Sequence, residues 1–186
     1  MDKKCIIIVD DLPEKDEKMI AFIGFLERAA NERQVDVVFQ FVQAMEGFTE
    51  PFTVYSILAH TAKSLAEENQ VAGLILDCYS RKKNELDSGG EQLAQILRGI
   101  TNRRQDAQHF EHAIKSILGS IPPVFSATET NFCKETLAHL KKCPIVFYTN
   151  TYKQFSYKID NSKTIPKDGL KRAKEILEFL VPTIPR

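Results

Sequence analysis

Cys5-Ile6-Ile7-Ile8-Val9-Asp10-Asp11 sets five apolar residues before two acids, close to the start of a 186-residue chain. A second stretch, Val71-Ala72-Gly73-Leu74-Ile75-Leu76-Asp77, repeats the design with a single acid. Apolar runs this short and this continuous read as strands covered on both faces, which is the habit of a parallel sheet. Such sheets hold their ligands outside the carboxyl ends of the strands. Two of them side by side would bring Asp10, Asp11 and Asp77 to one edge, as a magnesium site with a carboxylate to spare as nucleophile.

The rest of the chain alternates helix and strand around these two runs. Met19, Ile20, Phe22, Ile23, Phe25 and Leu26 recur at helical spacing up to about Arg33, with Pro13 and the neighbouring acids suited to the helix start. Val35 to Val42 predicts a strand, and Thr53 to Asn69 a helix. Cys78 to Gly90 is polar and reads as a loop. A helix should begin near Glu91 and run on through Ile100, with further helical pattern to Leu118 before Pro122-Pro123 ends it. Thr130 to Lys142 predicts another helix, Cys143 to Tyr148 a fourth strand ending at Thr149, and Lys163 to Pro166 a short fifth. Lys167-Asp168-Gly169 then leads into a last helix over 170–180. Strands alternating with helices imply an α/β fold, a doubly wound parallel sheet in a single domain over 1–186.

Composition narrows the function classes. Lys plus Arg total 25 and Asp plus Glu total 25, so no net field favours nucleic acid or an acidic membrane. Arg81-Lys82-Lys83 and Arg98 with Arg103-Arg104 are interspersed with acids and read as solvated faces. No apolar run reaches membrane-spanning length, and the expected location is the cytoplasm. The cysteines, Cys5, Cys78, Cys133 and Cys143, lack metal-ligand spacing and are expected to be reduced. His109 and His112, at i and i+3, read as surface histidines on an inserted helix rather than as a metal pair.

At the carboxyl edge the pattern places acids at Asp10, Asp11 and Asp77, a hydroxyl at Thr149 and an amine at Lys167. The residues that carry a family resemblance are Ile7-Ile8-Val9-Asp10-Asp11, Leu74-Ile75-Leu76-Asp77, Gly90-Glu91-Gln92-Leu93 with Ile96-Leu97-Arg98, Pro144-Ile145-Val146-Phe147-Tyr148-Thr149, and Lys167. Together they resemble the receiver domain of two-component response regulators. The resemblance implies a flavodoxin-like sheet of order 2-1-3-4-5, and Asp77 as acceptor of a phosphoryl group from a sensor histidine kinase or phosphotransfer protein. It further implies magnesium held by Asp10, Asp11, Asp77 and the backbone carbonyl of Tyr79, with Thr149 and Lys167 meeting the phosphoryl oxygens. Enzymatic activity would extend at most to self-phosphorylation from a phosphodonor and autodephosphorylation.

The chain also departs from that family. Asp77 and Thr149 are 149 − 77 = 72 positions apart, more than one crossover needs, so residues 100–142 should contain a helical insertion. Asp168 follows Lys167 where receivers usually have proline, Thr164 stands where an aromatic residue is common, and the segment after Thr149 is irregular. With no output domain recognisable, signalling should run through a downstream protein partner at the inserted helices, or through a homodimer. Two other readings stand beside this one. The first is a degenerate receiver that serves as a phosphorylation-independent interaction module. The second is a magnesium-dependent phosphatase with Asp10 as nucleophile, although Leu12 occupies the place where that chemistry usually has a second Asp.

Overall fold

β1 (Lys4–Asp10) runs through the middle of the sheet, paired in parallel with β2 (Val37–Gln43) on one side and β3 (Gln70–Leu76) on the other. Beyond β3 lie β6 (Ile145–Thr149) and then β7 (Ser162–Pro166), also parallel. The order β2-β1-β3-β6-β7 is the expected 2-1-3-4-5 flavodoxin-like arrangement of five strands. This computed structural model describes residues 3–44, 51–67, 69–77, 80–82, 85–87, 89–98, 136, 138–149, 159–167 and 169–182.

The unbroken apolar character of β1 follows from two cores. Cys5, Ile7 and Val9 join Leu74, Leu76, Ile145 and Phe147 on the face covered by α2 (Pro51–Ala66) and α3 (Gly89–Arg98). Ile6 and Ile8 join Ile75, Val146, Tyr148 and Ile165 on the opposite face, under α1 (Glu17–Glu32) and α4 (Gly169–Leu180). Strand side chains alternate between faces, so a strand clad on both sides has no position left for a polar residue until its end. Each fully buried Ile or Leu contributes roughly 1.5–3 kcal/mol.

α4 is tied to the C-terminal end of α1. The Arg33 guanidinium donates to the carbonyl of Val181 at 2.9 Å, and Lys174 pairs with Glu32 at 2.6 Å. α1 starts later than the position of Pro13 suggests. Asp16 is its N-cap, with a carboxylate accepting the Lys18 N–H at 2.9 Å, while Pro13 belongs to the preceding turn and accepts the Asp16 N–H. An acceptor side chain at the cap outweighs a proline three residues upstream.

The stretch from Cys78 to Gly90 is less of a loop than its polarity implies. Ser80–Lys82 (β4) and Glu85–Asp87 (β5) pair as an antiparallel hairpin, and α3 begins at Gly89. Most of the expected 100–142 insertion lies outside the described residues, and so does the irregular segment 150–158. Residues 138–140 are helical, as expected for the end of that region. Arg98, in the last turn of α3, donates to the carbonyls of Leu140 at 2.9 Å, Lys141 at 2.6 Å and Cys143. One guanidinium thus satisfies carbonyls that a helix end leaves open and fixes the chain on its way into β6.

Cys5 and Cys143 are free and buried, and burial pushes the Cys143 thiol up to about 12, which makes it inert. No helix among the described residues is long and apolar enough to cross a membrane.

Gly73 in β3 lies at a close approach between sheet and α4. A Cβ there would lie 2.5 Å from Leu180 Cδ2 and 2.9 Å from the Pro144 carbonyl oxygen. Gly73→Ala should cost about 1–3 kcal/mol in a urea titration, because the oxygen belongs to the backbone and cannot swing aside.

Candidate functional site

Two backbone hydrogen bonds set the position of the acids. Asp77 donates its N–H to the carbonyl of Val9 at 3.0 Å, and the carbonyl of Asp10 accepts the N–H of Ala44 at 2.8 Å. Asp10 and Asp77 therefore finish adjacent strands at the same level. Both share the side-chain parity of Ile8 and Ile75, the row facing α1 and α4. Asp11 follows directly. Oxygen atoms of Asp10, Asp11 and Asp77 all lie within 4.8 Å of one another.

Lys167 enters from the far side of the sheet. It follows β7 immediately, and its N–H donates to the carbonyl of Thr149 at 3.2 Å, continuing the β6–β7 ladder one step past the strand end. Its ammonium donates to Asp77 Oδ2 at 2.6 Å and to Asp10 Oδ2 at 3.3 Å. The Tyr148 ring centroid lies 5.6 Å from the same nitrogen, and Phe22 of α1 stacks on that ring at 4.1 Å and 13°. The aromatic pair gives the ammonium an electron-rich neighbour and a firm floor.

Four of the residues picked out from sequence, Asp10, Asp11, Asp77 and Lys167, therefore form one cluster. Thr149 ends β6 at the same edge, buried, with the parity of Ile145 and Phe147. Tyr79 lies outside the described residues. Tyr148 and Phe22 were legible only as core residues, because their part in the site depends on α1 crossing β6, which no local pattern encodes.

Burial shapes the electrostatics. Desolvation pushes the Asp10 carboxyl up to about 6, helped by the nearby charges of Asp77 and Asp11 and opposed by Lys167 and by the Leu12 N–H that Oδ1 accepts at 2.9 Å. For Lys167 burial pulls downward, but Asp10 and Asp77 together outweigh it and the ammonium is raised above its usual range. The two directions are compatible because Lys167 sits closer to Asp77, leaving Asp10 the less well compensated acid. A buried acid with an unfavourable charge is one that gains from an added cation. The three-carboxylate donor set fits a hard divalent ion of the magnesium type, completed by waters or phosphate oxygens.

The raised Asp10 value fixes a pH dependence. Between its ordinary value of 3.8 and about 6, the folded protein keeps a proton that the unfolded chain has released, so stability falls as pH rises through that window. In the absence of divalent cations, Asp10→Asn should be more stable than wild type at pH 7.5 by up to about 3 kcal/mol, with the advantage gone near pH 4. Urea titrations across that range measure the difference directly. Comparison of the chain with known proteins gives no matching family model, curated protein or solved structure.

Proposed function

We propose that this chain is a phosphoacceptor receiver, taking a phosphoryl group onto Asp77 from a phosphohistidine donor such as a sensor kinase or phosphotransfer protein. The observation that carries this reading is the Lys167 ammonium, 2.6 Å from Asp77 at an edge where Asp10 and Asp11 converge. A carboxylate paired with a cation and within reach of two further acids suits attack on an electrophilic phosphorus better than it suits a cap or a structural ion pair.

In this reading an Asp77 oxygen attacks phosphorus, the donor imidazole leaves, and an acyl phosphate remains. A magnesium ion held by Asp10, Asp11 and Asp77 supplies neutralising charge for the phosphoryl oxygens. Lys167 moves from the carboxylate to a phosphoryl oxygen without leaving its place above Tyr148. The Thr149 hydroxyl, at the end of the neighbouring strand, offers a donor to another. Phosphorylation then shifts the balance between two arrangements of the edge loops, and a downstream protein reads the difference.

Acetyl phosphate or beryllofluoride with magnesium tests this by intact-mass spectrometry and by thermal shift. Wild type should gain one phosphoryl group or become more stable, Asp77→Asn should do neither, and Asp10→Asn should respond about tenfold more weakly. A folded wild type with no magnesium-dependent response would overturn the proposal and leave the phosphorylation-independent interaction module in its place.

A further inference from the structure

We infer that β2 is a self-pairing edge, through which two copies of this chain join their sheets antiparallel about a twofold axis at Gln40. The inference does not depend on the function proposed above. It starts from the sequence of the outermost strand, Val37-Val38-Phe39-Gln40-Phe41-Val42-Gln43, which carries no charge and no proline. Natural proteins usually protect a sheet edge with charges, proline or bulges. The opposite edge has such protection: β7 carries Lys163, exposed and paired with Glu175 at 2.9 Å, and Pro166, which has no N–H.

The core of β2 is a palindrome. Val38-Phe39-Gln40-Phe41-Val42 reads the same in both directions. In an antiparallel pairing centred on Gln40, Phe39 meets Phe41 of the second copy, and Val38 meets Val42. Within the palindrome each residue faces its own kind, so the twofold pairing sets aromatic on aromatic and β-branched on β-branched. Asp36 falls opposite Ala44, so no charge in the register meets a like charge.

The backbone agrees with this centre. Lys4 donates its N–H to the carbonyl of Asp36, and Ala44 donates its own to Asp10, so the even-numbered residues of β2 spend their backbone groups on β1. Parallel pairing alternates, which leaves the N–H and C=O groups of Val37, Phe39, Phe41 and Gln43 pointing outward. With Gln40 on the axis, Phe39 bonds reciprocally to Phe41 of the second copy and Val37 to Gln43. Gln40 becomes the non-bonded pair, in which Cα atoms approach to about 4.5 Å.

Burial points the same way. β1 and β6 are buried almost throughout, whereas Val37, Val38, Phe39, Gln40 and Phe41 are only half-buried. Val37, Phe39 and Phe41 lie at the margin of the core under α1. Ile20 of α1, at 58 % the one exposed large hydrophobic among the described residues, sits on the flank of that helix turned away from α4. A second sheet continuing past β2 extends this apolar margin instead of leaving it in water.

Light scattering after size exclusion, at micromolar to submillimolar concentration, should give the mass of two wild-type chains. The thermal midpoint should rise with protein concentration. Gln40→Lys sets two ammonium groups against each other on the axis and should give one chain, with an unchanged far-ultraviolet spectrum and a concentration-independent midpoint. Should that variant misfold, oxidation of Gln40→Cys decides: it should cross-link to itself beyond the wild-type background, while Lys163→Cys on the other edge should not. A monomeric wild type over the whole range, or cross-linking through position 163 and not 40, overturns the inference.

Discussion

The Lys167 ammonium lies between two carboxylates that the sheet would otherwise force together with nothing between them. Asp10 and Asp77 end neighbouring strands at the same level, and each is drawn there by the backbone ladder, whatever its charge. Two carboxylates in such a place repel each other and lose their water. The lysine offsets part of that cost, more completely for Asp77 at 2.6 Å than for Asp10 at 3.3 Å. The asymmetry explains how Asp10 can be raised toward neutrality while touching a cation. Asp10 is thereby left as the less compensated of the two acids.

The lysine in turn depends on the two cores. Its height over the edge is set by β7 pairing with β6, and its lateral position by the Phe22–Tyr148 stack that α1 lays across β6. α1 is held against α4 by Arg33 and by the Lys174–Glu32 pair, and α4 reaches down to the sheet at Gly73, where only a hydrogen can stand. Residues far from the acids therefore fix where the ammonium sits. On the other face Arg98 fixes the chain just before β6.

What the sequence disclosed, and what it withheld, follow from how local each signal is. The strands were legible because a strand buried on both faces must be apolar at every step, and an acid at its end then falls at the sheet edge. That logic brings Asp10, Asp11 and Asp77 to one edge, while Lys167 is placed there by following a short fifth strand that is itself mostly polar. The β4–β5 hairpin was not legible, since three-residue strands held by cross-strand pairs leave neither a period nor an apolar run. The start of α1 is not fixed by sequence for a related reason: Pro13 and Asp16 both suit a helix start, and only the hydrogen bond from Lys18 tells them apart. The nearness of Tyr148 to the ammonium depends on which helix crosses which strand, a fact of topology alone.

The residue that compensates the acids is also the last of them to be synthesised. Lys167 stands 157 positions after Asp10 and 90 after Asp77, so the ion pairs that complete the cluster are among the most distant in the chain. Contacts that close such long loops form late in folding, after their entropy has been overcome by packing elsewhere. Until β7 docks beside β6, Asp10 and Asp77 lack the ammonium that pairs with both of them. Closure of the last strand is thus an electrostatic event as well as a hydrophobic one.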